Sequence, residues 1–217
     1  MYKLHGSPMS NYYNIVKLSL MEKGLDFEEV LTPPSQNDEF LAISPMGKIP
    51  VLESDEGFLS ESEVIVDYLE DTHPEPPLYP RSPFRKAEAK RIAHIAAISI
   101  DLPLRPLIAT IFSGGQSSDE LKASTRAQLE RGLKGFARAV KLSPWLAGEE
   151  FGAADIFGYY CLGMAAQIGQ AHLGLDVFSL LPGFEGWHQT MAQRESVRQA
   201  DAAQKQALEA FFASQKG

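Results

Sequence analysis

The sequence predicts an α+β domain of βαβ–ββα order followed by an all-α helical bundle domain. Three observations predict it. Short period-two segments alternate with helical ones up to about residue 72. A run holding five prolines in twelve residues, "THPEPPLYPRSP", then breaks the pattern. Beyond Phe84 the strand signals stop and only helical periodicity remains. The expected boundaries are 1–72 for the first domain, 73–83 for a linker and 84–217 for the second.

Tyr2 and Leu4 alternate with Lys3 and His5, the signature of a half-buried strand. Ile15, Leu18 and the Val16/Leu20 pair then recur at helical spacing, which leaves Lys17, Glu22 and Lys23 on the outside. Gly24 suits the left-handed position just past a helix end, and "DFEEVL" reads as the next strand. Two strands joined by a crossover helix should lie parallel. Residues 32–48 read as loop. "KIPVLES" and "GFLSE" form a hairpin whose turn is supplied by Glu53, Ser54, Asp55, Glu56 and Gly57, and Val64, Ile65, Tyr68 and Leu69 mark a second helix. The proline run cannot extend a helix or enter a sheet interior. In the second half, Ile92, Ile95, Ala96 and Ile98 share an apolar side of a helix that Pro103 and Pro106 interrupt or kink. Ser118 opens a long helix with Leu129, Leu133, Phe136 and Val140 inward. "AADIFGYYCLGMAAQIG" is apolar nearly all round and should be the central buried helix.

The chain's 217 residues suffice for a substantial core, and 44% apolar with 22% charged residues is ordinary for a globular protein. A net charge of −8 with no basic block argues against nucleic acid as a partner. The single cysteine, Cys161, allows neither an intrachain disulfide nor a cysteine metal cluster, which fits a reducing, cytoplasmic setting. The five histidines show no ligand-like spacing, so no metal site is expected. An apolar signal core and a run of about 18 apolar residues are both missing, so no membrane span is expected.

Three local features carry chemistry. Ser10 stands where the first strand turns into the first helix, and it can cap that helix or aim a hydroxyl at a ligand. Pro50 opens the third strand; it cannot donate to a ladder, and the bond before it can be cis at modest cost. A cis bond would turn the Ile49 backbone toward an extended ligand; otherwise Pro50 is an edge-strand proline. Glu61 and Ser62 precede a helix whose free N–H groups and positive end suit a carboxylate, while Glu61 suits an ammonium group. Helix capping by the same pair is the alternative.

Taken in order, "SPMSNYYNIVKLSLMEKGL", "SPMGKIPVLE", "LSESEVIVDYLE" and "GEEFGAADIFGYY" make the chain resemble the cytosolic glutathione transferase superfamily, of bacterial-like serine/cysteine type, over essentially its whole length. The resemblance implies a thioredoxin-like first domain and glutathione as co-substrate. It implies that Ser10 meets the glutathione sulfur, that the Ile49 backbone pairs with the cysteinyl part beside a cis Pro50, and that Glu61 and Ser62 hold the γ-glutamyl end. Lys48 is the implied partner of the glycyl carboxylate, and Asp155 a buried structural acid. Leu102, Leu107, Ile108 and Phe112, with Arg105 nearby, are the expected contacts of a small hydrophobic electrophile, with plain helix packing as the alternative, and a homodimer is implied. Gly152 stands where relatives often carry Ser or Thr, so the cap before Asp155 should be weaker; Ser44-Pro45 stands where Asn-Pro is usual. Tyr2, Tyr12 and Tyr13 are misplaced for a tyrosine-type site and should pack.

The implied activity is transfer of the thiol to an alkyl or aryl electrophile. Alternatives on the same fold are a glutathione-dependent isomerase or dehalogenase, and a non-enzymatic interaction protein resembling the stringent starvation proteins.

Overall fold

The computed structural model describes residues 1–214. Strand β1 (Tyr2–Gly6) leads into helix α1 (Asn11–Glu22) and strand β2 (Phe27–Leu31). A short helix α2 (Asp38–Leu41), the hairpin β3 (Val51–Ser54) and β4 (Gly57–Ser60), and helix α3 (Ser62–Thr72) follow. The sheet order is β2-β1-β3-β4. The crossover through α1 makes β1 and β2 parallel, with Tyr2 opposite Phe27, while β3 lies antiparallel to both β1 and β4. Period-two alternation sends Leu4 and Leu52 to one face. There they meet Tyr13, Val16 and Leu20 of α1 and Ile65 and Leu69 of α3 in one core cluster. Full burial of each such aliphatic side chain contributes about 1.5–3 kcal/mol.

The outward placement of Lys17 and Lys23 is corrected. Lys17 is 7% exposed and Lys23 is 4% exposed. Lys17 Nζ lies 2.7 Å from Glu29, on β2; Lys23 Nζ lies 2.6 Å from Glu70 and donates to the carbonyls of His73 and Pro76. A buried ammonium needs such partners, and these come from segments far off in sequence. Val64 faces outward and Val66 inward, so the apolar stripe of α3 is rotated from the expected one. Residues 32–48 also contain α2, capped by Asn37, whose Oδ1 accepts from Phe40 N at 2.8 Å.

Packing divides the chain into two units, Met1–Leu78 with the C-terminal segment from Ala192, and Tyr79–Met191. The C-terminal helix α9 thus belongs with the sheet, although its sequence position placed it in the expected helical half. Helical elements α4 (Pro83–His94), α5 (Arg105–Phe112), α6 (Asp119–Ala139), α7 (Ala153–Ile168) and α8 (Phe184–Ala192) build the second unit, and α9 spans Glu195–Ser214. Between α4 and α5 the chain stays helical but changes winding, as a π-helical Ile95–Asp101 and a 3-10 turn Leu102–Leu104. The π turn rotates the helix face, so Ile98 is exposed where α-helical spacing put it inside. Ser118 caps α6, accepting from Leu121 N at 3.1 Å, and Leu129, Leu133 and Phe136 are fully buried as expected. The first ten residues of α7 are all buried, which makes it the core helix of this unit.

One helical run, Pro83–Phe112, is long and apolar enough to cross a membrane by length and composition alone, a test that the core helix of a globular unit also passes. Its charges cluster at the N-terminal end, leaving Asp101 and Arg105 in the apolar part. Asp101 is fully buried and paired with Arg105, and the run packs on α6 and α7.

Candidate functional site

The topology gathers the candidate residues at one sheet end. β1 finishes at Gly6, β3 begins opposite His5 at Val51, and β4 finishes opposite Val51 at Ser60. The segments Ser7–Ser10, Lys48–Pro50 and Glu61–Ser62 therefore leave the sheet at the same edge. Two contacts tie them together. The Ser62 hydroxyl donates to the Tyr12 carbonyl at 3.2 Å, joining the start of α3 to the first turn of α1. Gly6 packs so closely that a Cβ there would lie 2.4 Å from the Tyr13 ring and 3.4 Å from the Ile49 Cβ; its φ of +154° also requires glycine.

Ser10 is the N-cap of α1, and its Oγ accepts from Tyr13 N at 3.4 Å, long for such a bond. Its own proton has no acceptor among the described residues. The first turn of α1 carries no acidic residue of its own to offset the positive end of the helix. Tyr13 itself packs, as expected. Its ring is 1% exposed and its hydroxyl donates to Glu29 at 2.6 Å. Burial first, then that carboxylate, pushes the phenol far above its usual range.

The Ile49–Pro50 bond is cis. Ile49 lies outside the strand ladder, and among the described residues its N–H and C=O take no backbone partner. The turn before it is fixed by Ser44, whose Oγ donates to the Lys48 carbonyl at 2.7 Å and accepts from Lys48 N at 3.1 Å. Gly47 (φ +63°) fits against Ser35 and Gln36, where a Cβ would lie 2.3 Å from the Ser35 carbonyl. The Lys48 side chain is exposed and unpaired among the described residues. Glu61 is exposed, without an ion pair, and held at φ 70° and ψ 111°, a conformation non-glycine residues avoid. Ser62 is 7% exposed, and its hydroxyl proton is engaged by Tyr12; a carboxylate at this helix start would meet backbone N–H groups or require that hydroxyl to rotate.

The other candidates lie on the second unit. Leu102 is 47% exposed, Ile108 is 9% exposed, and Phe112 is half-buried. Arg105 Nε donates to Asp101 at 2.6 Å. Asp155 holds the start of α7. Its carboxylate accepts from Leu146 N at 2.9 Å, Gly152 N at 3.1 Å and Trp187 Nε1 at 2.8 Å. Burial raises its pKa to about 6 against the pull of those donors. The missing side-chain cap at Gly152 is thus answered from within the helix. Among the described residues no cluster of His, Cys, Asp and Glu could hold a metal ion.

The sequence reading took Ser44 only as a departure from the usual loop, and it passed over Asn14. A serine before a proline and four residues ahead of Lys48 is a turn signal for the first. An amide among the apolar residues of α1, one turn beyond Ser10, is the signal for the second.

The family models described as Glutathione S-transferase, N-terminal domain, and Glutathione S-transferase, C-terminal domain, match residues 4–77 and 95–195. A glutathione S-transferase from Pseudomonas putida is 36% identical over 98% of this chain and 96% of its own. A maleylacetoacetate isomerase from Pseudomonas aeruginosa is 26% identical over 65% of this chain and 71% of its own. Among solved structures, a glutathione S-transferase from Methylobacterium radiotolerans, in complex with glutathione sulfonate, superposes with a TM-score of 0.77 at 26% identity. That match covers 92% of this chain and 93% of the other. With a thioredoxin-like sheet unit, a helical unit and these matches, the chain belongs to the cytosolic glutathione S-transferase superfamily.

Proposed function

We propose that the protein is a serine-type glutathione transferase, in which Ser10 stabilises the glutathione thiolate for attack on a small electrophile. The observation that carries this reading is the unspent hydroxyl proton of Ser10 at a helix start with no acid in its first turn. A cysteine-like thiol titrates near about 8.5, so only a few per cent is thiolate at neutral pH. Lowering that by about two units takes about 2.7 kcal/mol. One hydrogen bond to a charged group supplies roughly 1.5–3 kcal/mol, and a helix N-terminus adds about 0.3–1 kcal/mol. The hydroxyl and the helix end together match the requirement without a general base. The thiolate then attacks the electrophile and Ser10 keeps its proton.

The remaining groups complement glutathione by charge. Glu61 takes the γ-glutamyl ammonium, Ser62 and the α3 start take its carboxylate, the Ile49 backbone beside Pro50 pairs with the cysteinyl unit, and Lys48 takes the glycyl carboxylate. Leu102, Arg105, Ile108 and Phe112 remain the candidate contacts of the electrophile. A cytoplasmic homodimer is part of the same proposal. Because a serine cannot form a mixed disulfide, conjugation, addition or isomerisation is favoured over thiol reduction.

The test is Ser10→Ala assayed with glutathione against aryl halides, hydroperoxides, haloacids and maleyl compounds. Turnover at neutral pH should fall about 10–100-fold, the range of a lost hydrogen bond to charge. An undiminished rate would remove Ser10 from the mechanism. The similarity to a maleylacetoacetate isomerase favours glutathione-dependent isomerisation as a second reading. Activity confined to the maleyl compounds would select it. Failure to be retained on immobilised glutathione would favour an interaction protein.

A further inference from the structure

We infer that Asn14 is a positioning residue for Ser10, an inference that rests on the thiolate role proposed above. Asn14 lies one helical turn past Ser10 and is 0% exposed. Its backbone N–H donates to the Ser10 carbonyl at 3.0 Å, the first bond of α1. Its side-chain Nδ2 donates to the Pro8 carbonyl at 2.7 Å. The loop between β1 and α1 is otherwise held by local bonds, Met9 N to Ser7 Oγ at 3.3 Å and Ser10 N to the Ser7 carbonyl at 2.9 Å. Pro8 has no N–H, so its carbonyl is the one backbone group by which that residue can be tied.

Two features separate this from ordinary core packing. First, the cap bond of Ser10 is long at 3.4 Å, so the cap alone does not fix where the hydroxyl points. The aim of Oγ depends on the backbone corner at Pro8–Ser10, and Asn14 grips that corner from both sides. Second, the Asn14 Oδ1 is buried and has no hydrogen-bond partner among the described residues. The assignment of amide oxygen and nitrogen is settled by chemistry, because a carbonyl at 2.7 Å can only be met by the donor. A buried orphan acceptor lowers stability, and the bond from Nδ2 to the Pro8 carbonyl offsets that loss, so the amide gains the core little on balance. What it adds is direction, a donor fixed on the corner that carries Ser10.

The experiment is a pH titration of glutathione bound to the full-length protein, followed by thiolate absorbance, for the wild type, Ser10→Ala, Asn14→Leu and Asn14→Ala. Asn14→Leu should raise the bound thiol pKa by about half a unit to one unit. Asn14→Leu loses the orphan acceptor and the Pro8 bond together, so its melting temperature should change little, and Ser10→Ala should shift the thiol further. Asn14→Ala removes the donor without adding charge, so it should shift the thiol the same way; it decides the matter if Asn14→Leu does not fold. A thiol pKa equal to wild type in the Asn14 variants, with Ser10→Ala shifted, would overturn the positioning role and leave the Ser10 reading intact. A Ser10→Ala titration identical to wild type would overturn both.

Discussion

Helix α7 starts over Asp155 and helix α1 starts over Ser10, and the two starts differ in how far their hydrogen bonding is completed. At α7 one carboxylate serves three donors from the loop before it, the helix itself and Trp187 on α8, all at 2.8–3.1 Å, with no exposed surface. At α1 a single long bond from the Ser10 side chain reaches Tyr13 N, the hydroxyl proton has no acceptor among the described residues, and the first turn of the helix carries no acid of its own. The closed start ties together three segments of the helical unit. The open start leaves a donor and a positive helix end for something that arrives from solution. In one chain, then, the same local device serves stability where its bonds are filled, and we propose that it serves ligand chemistry where they are not.

The comparison is most easily broken at the closed start. Asp155→Ala strips the acceptor from three donors at about 1–3 kcal/mol each, so a loss of about 3–5 kcal/mol is expected in urea unfolding. A loss under about 1 kcal/mol would mean that the three bonds do not hold the unit.

Next in size is the pH dependence. Burial raises the Asp155 pKa to about 6 in the folded chain. The folded state therefore holds this proton more tightly than the unfolded state does. The contribution is complete below the unfolded pKa near 4 and is lost as pH rises through about 6. Subtracting the stability profile of Asp155→Asn from that of the wild type should leave a fall of about 1–3 kcal/mol between these pH values, flat above them. A difference that rises with pH would contradict the assignment.

At the open end, Glu61→Gln should raise the glutathione KM about tenfold, with kcat changed less, as for one lost ion pair to an ammonium. The effect should shrink with glutathione analogues that lack the amino group. Smallest is the structural effect of Ser10→Ala. Its cap bond is long, so the chain should lose at most about 0.5–1 kcal/mol in urea unfolding. A loss as large as that of Asp155→Ala would show that the two starts are alike after all.

Much of this was legible in the residues. The two-part order followed from the proline run and from the end of period-two alternation. The positions proposed for the thiol, cysteinyl and γ-glutamyl parts rest on short strings at the ends of strands, and the sheet brings those strings to one end. What escaped depends on partners distant in sequence. Lys17 and Lys23 look like surface lysines until Glu29 on β2 and Glu70 on α3 are folded against them. Helix α2 is only four residues long, too short for periodicity to register. The outward turn of Ile98 comes from π-helical winding, which α-helical spacing cannot anticipate. Asn14 was hidden because its partner, Pro8, offers a backbone carbonyl rather than a side chain.

The most direct measurement is the ionisation of glutathione's sulfur in the complex, compared between wild type and Ser10→Ala at equal saturation. The wild-type complex should titrate about two units below free glutathione, and Ser10→Ala should return most of that shift. Identical titrations in the two proteins would contradict the account, whatever the turnover numbers.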